Sequence, residues 1–187
     1  MRHVINALVM NEPGVLANVA GMFAARGFNI DSLVVGRTED PNLSRMTIVV
    51  TADDNTLAQV RKQLAKLVPV AQVIDFAGTA YVERDLCLVT IAVGPDRRNE
   101  VITIAETFRG RVVDVAPESL MLELAGTEDK IEAFVRLLQP YGITELSRTG
   151  VIAMGRGMQP TRDAAAAVAP KRTRSIDAPA QVALPPS

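Results

Sequence analysis

Cysteine, histidine and tryptophan are nearly absent from this chain of 187 residues, which holds one Cys, one His and no Trp. A single thiol, Cys87, cannot close an internal disulfide or build a thiolate metal cluster. A single imidazole, His3, rules out His-based triads and multi-histidine zinc sites. Aromatic residues make up only 4% of the chain, leaving few platforms on which bases could stack. Neither sign of charge is in excess: 20 basic against 21 acidic side chains give a formal charge of −1. That balance argues against a chain built to coat nucleic acid or an anionic membrane. No apolar run approaches the roughly 20 residues of a membrane span. The stretch Met1–Met10, broken by Asn6, has neither the length nor the cleavage site of a secretory signal. The expectation is a soluble, cytoplasmic protein with no nucleic-acid or membrane partner.

The usual chemical motifs are missing too. There is no Gly-x-x-x-x-Gly-Lys-Ser/Thr, no Gly-x-Gly-x-x-Gly and no Gly-x-Ser-x-Gly. Cys87, between Leu86 and Leu88, reads as a buried, inert thiol, and Asp53-Asp54 as charges at a helix start. No nucleophile, base and orienting group can be named, so no catalytic residue is assigned and no metal site or cofactor is expected in this chain.

What is present is a packable core, since 48% of residues are apolar. The chain also reads twice in the same order. His3–Met10 predicts a strand, and Leu16, Val19, Ala20 and Phe23 recur at helical spacing before Gly27. Asn29–Thr38 and Ser44–Thr51 predict two strands around the turn Glu39-Asp40-Pro41-Asn42. Leu57, Val60, Leu64 and Leu67 mark a second helix, and Val70–Phe76 a last strand. The second half repeats this: strand Asp85–Val93, helix through Val101, Ile104, Ala105 and Phe108, strands Val112–Val115 and Ser119–Leu124, helix through Ile131, Phe134, Val135 and Leu138, strand Ile143–Ser147. An α+β fold of two βαββαβ halves follows, each a four-stranded sheet with two helices on one face. A single continuous eight-stranded domain is the alternative. The last 30 residues, Met158 to Ser187, hold five prolines and a small basic cluster, Lys171, Arg172 and Arg174. Lacking large apolar side chains, they read as a flexible tail.

In the first half the strands are apolar on both faces, with Val4, Ile5, Leu8, Val9, Val34, Val35, Ile48, Val49 and Val50. Such strands usually have both faces covered. Neither half offers a third helix for that purpose, so a second copy of the chain is expected to complete the sheet.

The most informative loop is Asn11-Glu12-Pro13-Gly14-Val15-Leu16, between the first strand and the first helix. Gly14 has no Cβ to obstruct a ligand, and the free amides of Gly14, Val15 and Leu16 open a helix whose positive end favours a carboxylate. Asn11 can donate to and accept from a small polar ligand, and Asn29, with Ile30, starts the second strand. Asp31 reads as a strand-end carboxylate or a cation ligand. A turn that merely starts a helix accounts for the same loop residues. The corresponding loop of the second half, Val93-Gly94-Pro95-Asp96-Arg97-Arg98-Asn99, is longer and charged and lacks the Asn-x-Pro-Gly element.

Together with Arg26-Gly27-Phe28-Asn29-Ile30-Asp31-Ser32-Leu33 and Leu43-Ser44-Arg45-Met46-Thr47-Ile48, this loop resembles the small regulatory subunit of acetolactate synthase (acetohydroxyacid synthase). The resemblance takes in Val82-Glu83-Arg84-Asp85-Leu86, Phe108-Arg109-Gly110 and Ser147-Arg148-Thr149-Gly150, and spans about residues 2–157. It implies an effector-binding ACT domain over residues 2–78 and a second, ferredoxin-like domain over 79–157, whereas the Ala/Pro-rich tail over 158–187 has no counterpart in it. It further implies a subunit with no active site of its own, dimeric through its ACT domain, that activates a large catalytic subunit and confers feedback inhibition by valine in branched-chain amino acid biosynthesis. The large subunit of that family uses thiamine diphosphate, Mg²⁺ and FAD. Carried onto this chain, the effector would be held by Asn11, Gly14, Val15 and Leu16 of one protomer and Asn29 and Ile30 of the other. Ala17 stands where some relatives carry a hydroxyl residue. A free-standing ACT-type amino-acid sensor serving another enzyme or a transcription complex is the alternative.

Overall fold

The structure is a computed structural model and describes residues 1–157; the expected tail and its basic cluster lie outside the described residues. Strand β1 (Arg2–Met10), helix α1 (Val15–Ala24), β2 (Ser32–Arg37), β3 (Leu43–Thr51), α2 (Asp54–Leu64) and β4 (Val70–Asp75) form the first βαββαβ unit. The second comprises β5 (Tyr81–Ala92), α3 (Pro95–Thr107), β6 (Arg111–Ala116), β7 (Ser119–Gly126), α4 (Glu128–Leu138) and β8 (Ile143–Arg148), followed by a short β9 (Ile152–Gly155). The strand orders are β2-β3-β1-β4 and β6-β7-β5-β8, with all neighbours antiparallel. Even the irregularities repeat. The register slips between Leu8 and Val9 where β1 meets β4, and between Thr90 and Ile91 where β5 meets β8.

Alternation along the strands decides which face meets the helices. Ile5, Ala7, Val9, Met46, Ile48 and Val50 turn toward α1 and α2, where Val19, Phe23, Leu57, Val60 and Leu64 close the core. Cys87, Val89, Ile91, Leu120, Leu122 and Leu124 do the same beneath α3 and α4. Burying each such side chain fully contributes about 1.5–3 kcal/mol. Burial also pushes the Cys87 thiol above its ordinary pKa, as the sequence position between two leucines leads one to expect.

Three expectations need correction. The buried stripe of α1 is Val15, Val19 and Phe23, four residues apart, and Leu16 is 48% exposed. One residue around the helix is a turn of about 100°, which carries Leu16 off the core face. The second strand starts at Ser32, leaving Asn29 and Ile30 in the connection before it. The open face of the first sheet, expected to await another copy, is in part covered by the chain itself. The first four residues of β5 pair with β9, and this ribbon lies against Val4 and Val49, joined by Phe76, Val151 and Ala153 in one buried cluster. Such a cover was invisible in the sequence because β9 is only four residues long and the residues it covers, Val4, Asn6 and Val49, lie some 100–150 positions away.

Polar contacts fasten the two units and brace the second from within. Asn6, buried in β1, donates from Nδ2 to the Ala153 carbonyl at 2.8 Å. Arg2 reaches Glu83 at 3.0 Å and Glu128 at 2.6 Å. Asp85, 1% exposed, accepts from Arg148 Nε at 2.7 Å and from the Gly150 amide at 3.1 Å, while Arg148 Nη1 also reaches Glu132 at 2.5 Å. Burial works against the Arg148 charge, but its bonds to Asp85 and Glu132 outweigh that and raise its pKa.

Candidate functional site

The loop after β1 is tied down before α1 begins. The Asn11 amide donates to the Asn42 carbonyl at 2.7 Å, and Asn11 Nδ2 to the Pro41 carbonyl at 3.0 Å. Ser44 Oγ donates to Asn11 Oδ1 at 3.2 Å. Asn11 is therefore held by the β2–β3 hairpin, and its side chain meets any ligand already oriented. Pro41 and Ser44 were not singled out from the sequence for this role, although Ser44 lies in one of the stretches that carry the resemblance.

Gly14 is the N-cap of α1 with φ 84°, a left-handed conformation that L side chains rarely adopt. A Cβ there would have no neighbour within 4 Å, so glycine is needed for the backbone turn, and the space in front of it is open. The helix start is also uncompensated. Helix α2 has the Asp53 side chain accepting from the Thr56 amide at 2.7 Å, and α2, α3 and α4 carry Asp54, Asp96 and Glu128 with Asp129 in their first turns. Helix α1 has no capping side chain and no acidic residue in its first turn. Its N-terminal partial charge, about half an elementary charge, stays available to an anion. The Val15 amide makes only a long bond to the Glu12 carbonyl, 3.4 Å. The Val15 side chain lies in the core, so Val15 can take part only through its backbone, whereas the Leu16 side chain is exposed.

Asn29 and Ile30 sit at the other end of α1. Ile30 packs against the first core, and Asn29 is exposed, donating from Nδ2 to Asp31 Oδ1 at 2.9 Å. Asp31 Oδ2 accepts from Thr51 Oγ1 at 2.8 Å, and the Asp31 amide donates to the Val49 carbonyl at 2.9 Å. Asp31, read as a possible cation ligand, thus spends its oxygens on orienting Asn29 and joining it to β3. Sequence reasoning did not give Asp31 or Thr51 that part.

One chain does not bring these two groups together. Met10 pairs with Leu43 and Ser32 with Val49, so the loop and the β2 start are six residues apart along β3, about 20 Å. Two separate clusters result: a helix start without a capping or acidic side chain beside an oriented amide, and a second oriented amide beside an aliphatic side chain. Strand β2, next to the second of them, is at the edge of the first sheet, and its Val35 is 42% exposed. A groove of about 310 Å³ opens between Val34, Arg37 and Thr47 on one side and Ile152 and Met154 on the other, but none of the six predicted residues lines it. Among the described residues no three His, Cys, Asp or Glu side chains converge on a common point, and no helix is long and apolar enough to cross a membrane.

Comparison with known proteins gives the family. Residues 5–72 match the ACT domain of acetohydroxyacid synthase small subunits, and residues 84–157 match a family described as the small subunit of acetolactate synthase. The chain is 51% identical over 157 residues to a probable acetolactate synthase small subunit of Archaeoglobus fulgidus, covering 84% of this chain and 98% of that one. It is 44% identical over 155 residues to the acetolactate synthase small subunit of Mycolicibacterium smegmatis, covering 83% and 91%. The crystal structure of the small subunit from Thermotoga maritima superposes with a TM-score of 0.78 at 40% identity, over 85% of this chain and 99% of that one.

Proposed function

Because the chain belongs to the small-subunit family of acetolactate synthase, we propose that it stimulates the catalytic large subunit and subjects it to feedback by valine. The chemistry stays with the large subunit; this chain binds and reports. Residues 2–78 serve as the effector-binding module and 79–157 as the second module.

The observation that carries this reading is the start of α1, which among the four α-helices of the described residues is the one with neither a capping side chain nor an acidic first turn. An amino acid supplies the missing anion: its carboxylate meets the amides at Gly14–Leu16, and its ammonium meets the side-chain oxygen of Asn11 or Asn29. Its isopropyl group rests on Leu16 or Ile30. Since the two half-sites lie at opposite ends of β3 in the first unit, the site is completed in a homodimer, with Asn11, Gly14, Val15 and Leu16 from one chain and Asn29 and Ile30 from its partner. Effector binding and dimer geometry are then linked, because a ligand shifts an equilibrium only by its differential affinity for the two states.

Gly14→Asp tests the assignment. Aspartate tolerates φ near 84° better than most residues, so the fold survives while a fixed carboxylate takes the place of the ligand's. Valine inhibition of the assembled enzyme should weaken by about tenfold or more, with stimulation of the large subunit retained. Gly14→Asn, equally strained but neutral, should lose less. A Gly14→Asp chain as sensitive to valine as the parent would refute the site, and failure to stimulate any thiamine-diphosphate-dependent partner would favour the free-standing sensor.

A further inference from the structure

The half-site at the start of β2 does not end at Ile30. Two residues on, Ser32 Oγ accepts a hydrogen bond from the Val151 amide at 3.2 Å, although Ser32 belongs to the first unit and Val151 to the connection between β8 and β9. Gly150, beside it, is set so close to β2 that a Cβ on it would lie 2.7 Å from Ser32 Oγ and 2.9 Å from Val34 Cγ2. The same Gly150 donates its amide to Asp85, whose carboxylate is gripped by Arg148, which in turn reaches Glu132 on α4. Thr149 adds its own tie, donating from Oγ1 to Asp85 Oδ1 at 3.3 Å. An unbroken series of short contacts therefore runs from the Asn29–Asp31–Thr51 cluster, along one strand, into the second sheet and a helix on its far side.

We propose that the seat of Gly150 on Ser32 and Val34 is the positioning contact through which occupancy of the β2 half-site is passed to the second unit. It rests on the effector reading above and adds the route. Ser32 is a positioning residue here: no ligand atom need touch it. Close packing makes the contact informative, because the loop has no room to follow β2 part of the way. A pull on Asn29 and Ile30 across the dimer either carries the Gly150 loop and its Asp85–Arg148 clamp along or breaks the Ser32–Val151 bond. The other polar fastenings between the units, at Arg2 and Asn6, stem from β1, which carries none of the β2 half-site, and the buried cluster of Val4, Val49, Phe76, Val151 and Ala153 adds apolar contact but no hydrogen bond to β2.

Ser32→Ala removes the acceptor while leaving Asn29, Ile30 and the helix start intact. The holoenzyme, assembled from the full chain and its catalytic partner, is assayed with and without valine, and valine binding to the same preparation is measured by calorimetry. The expected result is binding within about twofold of the parent and unchanged stimulation without valine, with inhibition at saturating valine weakened about tenfold in its coupling factor. Ser32→Thr, which keeps the hydroxyl, should restore much of that coupling. Binding and inhibition both at parental strength would overturn the proposal, as would loss of binding (Ser32 then belongs to the ligand site) or joint loss of stimulation and inhibition (the contact is then a mere prop). A parent chain that takes up no valine would overturn the effector reading and the relay with it, and that titration separates the two failures.

Discussion

Replacing Gly150 by alanine offers a quantitative check on how the two units meet. Two penalties act together at this position. Its φ of +83° is a conformation that disfavours any side chain bearing a Cβ, worth about 1–2 kcal/mol. The added methyl would also lie 2.7 Å from Ser32 Oγ and 2.9 Å from Val34 Cγ2, an overpacking that typically costs about 1–3 kcal/mol. The sum is a loss of about 2–5 kcal/mol, or a fall of about 1–2.5 M in the urea midpoint at an unchanged slope near 2 kcal/mol/M. Gly78 supplies the control. It has φ +71° but nothing within 4 Å of where a methyl would stand, so Gly78→Ala should show the backbone penalty alone, about 1–2 kcal/mol. Combining Gly150→Ala with Ser32→Ala removes the nearest obstructing atom, and the pair should be less destabilising than the two single changes added together, by roughly 1 kcal/mol. If Gly150→Ala and Gly78→Ala melt at the same urea concentration, the β8–β9 connection is not seated on β2 in solution and the reasoning fails.

Two further outcomes follow from burial. Cys87 is fully buried and its thiol is held protonated by desolvation; iodoacetamide at pH 8 should leave the folded chain unlabelled and modify it fully in denaturant. Because the folded thiol titrates above its unfolded value, stability should begin to fall as the pH rises past the ordinary thiol pKa, and Cys87→Ser should remove that part of the alkaline decline. Val15→Ala, in the core, should destabilise by about 1–3 kcal/mol, whereas Leu16→Ala, 48% exposed, should shift urea unfolding by less than about 0.5 kcal/mol.

Both units' element order was legible from apolar spacing, because each half buries one face of its sheet under two helices and the periods of 2 and 3.6 differ clearly. What escaped were features set by contacts distant in sequence. Strand β9 has only Ile152, Ala153, Met154 and Gly155, too few to show a period, and it owes its place to Asn6 and the buried cluster on the first sheet. The choice of Val15 over Leu16 for the core face escaped as well, since adjacent aliphatic residues fit a helical stripe equally well until the helix is docked. Of the candidate site, the open space at Gly14 was readable because glycine carries no Cβ to fill it, whereas its left-handed backbone, φ 84°, was not read from the sequence. The anchoring of Asn11 by Pro41 and Ser44, about 30 positions on, was not readable, because hydrogen bonding across a hairpin leaves no local pattern. In the Ser-Arg-Thr-Gly stretch that carries part of the resemblance, Arg148, Thr149 and Gly150 converge on Asp85 within the second unit, and Gly150 also packs closely on Ser32 and Val34 of the first.

Strand β5 is shared property. Its first four residues run with β9 over the first sheet, while the remainder is the central strand of the second. Anyone wishing to transplant the first unit onto another protein therefore has no linker to cut within that strand: a junction after Tyr81 would divide a continuous strand between donor and host. The workable seam is the turn at residues 77–80, and even there the donor sheet would leave behind the lid that the end of the described chain provides, so the graft would have to bring a substitute.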